Sequence, residues 1–176
     1  MNKGSIAGVV VILIIVLAAV WYVTSSSDQT GADDAGGAVT LASLSGLALT
    51  DLAGAPAGLA EHGGKPLVVN AWASWCPFCI DELPAFVTLQ QELGDSVTIV
   101  AIDRAESASV AMEYIDQLGI RDELVWLLDP TDYFYGQIGG FSMPETLFFN
   151  SDGSLGFHKR GPMDVAEIRQ RIEALD

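Results

Sequence analysis

Residues 67–79 read Leu67-Val68-Val69-Asn70-Ala71-Trp72-Ala73-Ser74-Trp75-Cys76-Pro77-Phe78-Cys79, and they hold both cysteines of the 176-residue chain. Leu67-Val68-Val69 reads as a buried strand, and from Pro77 to about Leu93 apolar residues recur at helical spacing. Two thiols on either side of the first turn of a helix can close a disulfide and reopen it. The helix N-terminus adds partial positive charge and free N–H groups, which stabilise a thiolate. A strand running into Cys-x-x-Cys at a helix start therefore points to redox chemistry. Two other readings of the pair stand beside this one. A purely structural bridge is one, although closing so short a loop constrains an unfolded chain little. A zinc half-site is the other; structural zinc wants four ligands, and the sequence adds only the separated His62 and His158.

Working outward, residues 6–23 form an uncharged apolar run of 18 residues. As a helix it would be about 27 Å long, close to the ~30 Å hydrocarbon core of a bilayer. Lys3 precedes it and no basic residue follows until Lys65, so the positive-inside rule leaves residues 1–5 as a cytoplasmic tail and sends the remainder outside. Trp21 and Tyr22 fall at the level of an interfacial aromatic belt. The run closes on bulky residues rather than a small-x-small cleavage site, which favours an uncleaved transmembrane anchor over a cleaved signal peptide. No cysteine follows it directly, which argues against a lipoprotein anchor. Residues 24–38, rich in Ser, Asp and Gly, read as a flexible linker. The net charge of −15 makes nucleic acid and anionic lipid surfaces poor partners, while a basic client would be attracted. The same acidity equally suits plain solubility.

Residues 39–176 carry the folded domain in this reading. Val39 to Thr50 is weakly apolar, with room for one or two short strands, and turns follow at 51–54 and 61–66. Strands are expected at 67–71, 97–102, 124–128 and 146–150. Ser151-Asp152-Gly153 makes a hairpin turn into a last strand at 155–159. Helices are expected at 77–93, 109–118 and 165–175, the last opened by an Asp164-x-x-Glu167 capping box. Alternating strands and helices, closed by a hairpin and a helix, imply an α/β fold with a mixed central sheet covered on both faces.

The element order, Trp75-Cys76-Pro77-Phe78-Cys79 after a strand, and Met143-Pro144-Glu145-Thr146 before a late strand resemble the thioredoxin superfamily. Within it the chain is most similar to the membrane-anchored, exported TlpA/ResA/DsbE (CcmG)-like thiol–disulfide oxidoreductases. Three details carry that narrower resemblance. Asn70 stands six residues before Cys76, where thioredoxins have a buried Asp; Glu82 makes Cys-x-x-Cys-x-x-Glu; and Pro144-Glu145-Thr146 leads into an apolar strand and an Asp-Gly turn. The resemblance implies a thioredoxin-like fold behind an N-terminal transmembrane helix, with no cofactor beyond the Cys76–Cys79 disulfide and no metal. It implies client protein thiols or disulfides as substrates, apocytochrome c among them, and a membrane-embedded redox partner. The domain would lie on the periplasmic or outer face of the membrane.

Beside that resemblance, each residue has its own physical reading. Cys76, at the exposed helix N-terminus, is the expected nucleophile, and Cys79, one turn in and shielded, resolves the mixed disulfide. Pro77 suits the first turn because it needs no N–H there. Phe78 tunes the potential, and Trp75 offers a client-binding surface, whereas Trp72 is core. Glu82, three residues beyond Cys79, reads either as a proton acceptor for the pair or as an ordinary first-turn carboxylate; Asp81 takes only the second role. The resemblance makes Pro144 cis and sets it against the disulfide, leaving the Met143 backbone free to pair with an extended client. Glu145 is expected to face the cleft as a second carboxylate, and His158 and Trp126 to be structural. Electron flow is open in both directions: a reductant serving cytochrome c maturation, or an exported oxidase that installs disulfides. A copper-site assembly factor is a third class, requiring His158 or a Met to reach the thiols.

Overall fold

The computed structural model describes residues 39–176; the tail, anchor and linker expected over residues 1–38 lie outside the described residues. Among the described residues no helix is long and apolar enough to cross a membrane. The elements run β1 (Leu49–Asp51), β2 (Pro56–Ala57), β3 (Leu67–Trp72), α1 (Pro77–Leu93), β4 (Thr98–Arg104) and α2 (Ala108–Leu118). They continue with β5 (Val125–Asp129), α3 (Tyr133–Gln137), β6 (Glu145–Phe149), β7 (Leu155–Arg160) and α4 (Val165–Glu173).

All seven strands form one mixed sheet in the order β2-β1-β5-β4-β3-β6-β7. The helical crossovers α1 and α2 make β3, β4 and β5 mutually parallel, while β6 runs antiparallel to β3 on its other side. Every residue of β3 is buried, as expected of a central strand covered on both faces. Its alternate residues divide the core. Leu67, Val69 and Ala71 face a cluster with Val100, Ile102, Leu147 and Phe134, covered by α3 and the segment 41–59. Val68 and Trp72 face α1, α2 and α4, where Phe86, Leu83, Ile115 and Ile168 pack. Caps fix the helix starts: Ser107 accepts from Val110 N–H at 3.4 Å and Asp164 from Glu167 N–H at 2.8 Å.

The sheet ends differently at its two edges. β2 is two residues long and begins at Pro56, which has no N–H to offer a further strand. β7 carries Lys159 and Arg160, and its pairing with β6 is broken by a register shift at Phe148/Phe149.

Several elements differ from the sequence reading. α3 was not expected: five residues including Gly136 are too short to show periodicity. It exists because the Asp129 carboxylate accepts from Phe134 N–H at 2.7 Å. β4 runs past Ile102 through Asp103 and Arg104, because pairing with β5 continues to Arg104↔Asp129. β6 starts at Glu145, paired with Ala71 and Arg160, one residue earlier than expected and ends one earlier, at Phe149. α4 stops at Glu173 rather than Leu175.

Phe86, fully buried between α1 and the sheet, ties the two together. Phe86→Ala should cost about 3–5 kcal/mol of unfolding free energy, read as a lower urea midpoint with an unchanged m-value.

Candidate active site

β3 ends at Trp72, and the chain turns through Ala73-Ser74-Trp75, with Cys76 N–H donating to Ala73 O at 3.1 Å. Cys76 is the N-cap of α1, extended at φ −98° and ψ 101°. Its sulfur accepts from Cys79 N–H at 3.2 Å, and its carbonyl accepts from Cys79 and Ile80 N–H. Pro77 occupies the first helical position, where a missing N–H costs nothing. Cys76 and Cys79 are joined by a disulfide. The nucleophile's expected exposure is corrected: Cys76 is only 4% exposed, because it packs in the cluster of Trp72 and Leu83. Trp75 and Phe78 instead carry the surface beside it, 60% and 61% exposed.

The second wall is the loop 141–144. The Met143–Pro144 peptide is cis, Pro144 is buried, and Met143 packs against the cluster that contains both cysteines. Among the described residues the Met143 backbone makes no hydrogen bond, while Pro144 O accepts from Gly161 N–H at 2.9 Å. Phe141 is 85% exposed.

Glu82 is buried on the sheet-facing side of α1, yet its own oxygens meet no cysteine. Oε2 accepts from Asn70 Nδ2 at 3.1 Å and Oε1 from Met163 N–H at 2.9 Å. Asn70 Nδ2 also donates to Thr146 Oγ1 at 3.0 Å, so one network joins β3, β6, α1 and the approach to α4. Burial pushes the Glu82 carboxyl up to about 7, against the pull of those two donors.

Glu145 does not line the cleft. It is fully buried on the opposite face of the sheet, where Oε1 accepts from Phe141 N–H at 2.5 Å and Ser142 N–H at 2.7 Å. Its Oε2 lies 2.7 Å from His158 Nε2. Strand alternation explains the correction: Thr146 shares a face with Asn70, so its neighbour Glu145 must point the other way. His158 is thereby engaged away from the thiols. Trp126 packs edge-on against Trp72 in the core, and Asp81 is exposed.

Sequence reasoning missed one group of residues. Glu106 accepts from Ser74 N–H at 2.6 Å and from Ser74 Oγ at 2.7 Å, and its own N–H donates to Asp103 Oδ1 at 3.2 Å. Burial, with the Glu106 carboxylate beside it, pushes Asp103 up to about 8. The only sequence signal was a charged residue ending an apolar strand, and nothing in it points 32 residues back to Ser74.

Residues 28–172 match the Redoxin family model, and the chain belongs to that family. The thiol:disulfide interchange protein DsbE of Pasteurella multocida is 28% identical over 112 residues, which are 64% of this chain. The match spans only 60% of that relative's length. Among solved structures, MTB DsbF is 25% identical with a TM-score of 0.69, covering 78% of this chain and all of that one. A secreted Mycobacterium tuberculosis disulfide oxidoreductase, homologous to E. coli DsbE, is 26% identical with a TM-score of 0.64. It covers 72% of this chain and 93% of its own. These place the chain among DsbE-like members of the thioredoxin superfamily.

Glu82 sets a pH dependence whose sign follows from its position. The folded state keeps a proton to about pH 7 that the unfolded chain loses near 4.5, so stability falls as pH rises through that window. The contribution is about 3 kcal/mol at most. Urea titrations at about pH 5 and about pH 8 should show this loss, and Glu82→Gln should reduce it, leaving the part that the raised Asp103 carboxyl contributes with the same sign.

Proposed function

We propose that this Redoxin-family chain is a thiol–disulfide oxidoreductase that works through Cys76 and Cys79, as a reductant of client disulfides in cytochrome c maturation. The observation that carries the reading is the Cys76–Cys79 disulfide at the N-cap of α1, facing the loop of the cis Met143–Pro144 peptide. DsbE-type relatives support the reaction class, and the resemblance of Pro144-Glu145-Thr146 and its following strand to cytochrome c maturation proteins supports the direction.

In the reduced protein the Cys76 thiolate, favoured by the helix N-terminus, attacks one sulfur of the client disulfide. A Cys76–client disulfide forms and the other client sulfur leaves as a thiolate. Cys79 then loses its proton and attacks Cys76 Sγ, which frees the second client thiolate and closes the Cys76–Cys79 bridge. Two electrons have passed to the client, whose two thiolates take their protons from solvent. A dithiol on a membrane-embedded partner reverses the exchange and restores both thiols. Glu82, buried beneath α1 and poised near neutrality, accepts the Cys79 proton by way of an intervening water, since its oxygens do not touch the sulfur. The client lies extended along the unpaired Met143 backbone, with Trp75 and Phe78 contacting its apolar side chains. In this reading residues 6–23 anchor the domain outside the cytoplasm.

The decisive measurement is the reduction potential of the Cys76–Cys79 pair. A value well below about −200 mV is expected of a reductant; one near about −120 mV assigns the chain to disulfide formation instead. Cys79→Ala should accumulate a client on Cys76 as a mixed disulfide that dithiothreitol releases. Absence of any such adduct, together with inability to reduce insulin, would overturn the exchange reaction itself.

A further inference from the structure

The turn that carries the nucleophile is gripped from behind. Ser74, two residues before Cys76, gives both its N–H and its hydroxyl to the Glu106 carboxylate. Glu106 in turn lies against Asp103, the fully buried last-but-one residue of β4, paired across the sheet with Trp72. Asp103 Oδ1 accepts from Glu106 N–H, whereas Asp103 Oδ2 is buried with no hydrogen-bond partner. A buried carboxylate oxygen without a donor is costly, and no ion pair among the described residues reaches either acid. Arg104, the cation next in sequence, is held by Asp132. A proton on Asp103 Oδ2, shared with the facing Glu106 carboxylate, gives that oxygen a partner.

We infer that Asp103 and Glu106 are a proton-sharing carboxyl pair that positions the Ser74–Trp75–Cys76 turn and keeps one negative charge behind the nucleophile. The inference rests on Cys76 being the attacking sulfur. Asp103 is the neutral member, donating its O–H; Glu106 is the ionised member, accepting three donors, two from Ser74 and one from Asp103. Burial and the neighbouring Glu106 and Asp129 charges act in the direction this assignment needs, holding the Asp103 proton to about pH 8. Two like charges in contact cannot both persist in such a site, so the pair carries a single charge. That charge opposes the helix N-terminus: it disfavours the Cys76 thiolate and limits how far the thiol is acidified. Glu106 and Asp103 are positioning residues; neither touches the sulfur.

Two measurements on the full chain test this separately from the exchange reaction. The first is the pH profile of Cys76 alkylation by iodoacetamide in the reduced protein. Glu106→Gln, which keeps the shape and removes the charge, should increase the Cys76 acid dissociation constant about threefold. Ser74→Ala, which loses one of the two grips and leaves the charge in place, should change it by less than that. If Glu106→Gln and Glu106→Ala both leave the profile where the native protein has it, the electrostatic role is overturned, whether or not insulin is reduced. The second is infrared difference spectroscopy at neutral pH in the Glu82→Gln background, which removes the other raised carboxyl. One protonated-carboxyl band should remain and disappear on adding Asp103→Asn. A spectrum without that band overturns the shared proton. Failure of insulin reduction with both results intact would instead count against the proposed exchange reaction and leave the carboxyl pair standing.

Discussion

The rest of the site depends on how the chain leaves β3 and enters α1. A helix begins with N–H groups that have no partner inside it, and here a sulfur fills one of those vacancies: Cys76 Sγ accepts from Cys79 N–H. The same sulfur is bonded covalently to Cys79. Capping and redox chemistry thus fall on one atom, and the direction of β3 fixes where that atom sits. Because β3 is buried on both faces and paired on both edges, its end cannot shift without disturbing the whole sheet.

Around that point the sheet separates two tasks by face. On the helix-covered face, Asn70, Thr146, Glu82 and Asp103 form the buried polar layer beneath the cysteines. On the other face, Glu145 gathers Phe141 N–H, Ser142 N–H and His158, and so fixes the loop that leads to Pro144. β6 alternates between these tasks in consecutive residues, Glu145 and Thr146. Both walls of the site are therefore referenced to the same strand.

Much of this was legible in the sequence, and the reasons are physical. The α1 bounds, Pro77 to Leu93, read correctly because a long amphipathic period is flanked by a proline at its first position and a glycine after its last. The hairpin read correctly because Asp152-Gly153 sits between two strand patterns, and Gly153 adopts φ 82°. α3 and β2 escaped because five and two residues carry no period, and their existence depends on contacts made elsewhere. Glu145 was misplaced because adjacency to Pro144 outweighed the two-residue alternation that sends it to the far face. The Ser74–Glu106–Asp103 chain had no sequence signature, since it joins a turn and a strand end that only the parallel pairing of β3 with β4 brings together.

The sheet edges bear on the company such a domain keeps. Under the proposed function, extended stretches of client meet the sheet borders, and any open border invites them to zip on and aggregate. Pro56 on the two-residue β2, and the bulge and cations of β7, leave little backbone for that at either border. The unpaired main chain at Met143 lies away from both borders, at the start of β6 and beside the sulfurs. Under the proposed function, a client that pairs at Met143 does so where chemistry and release can follow.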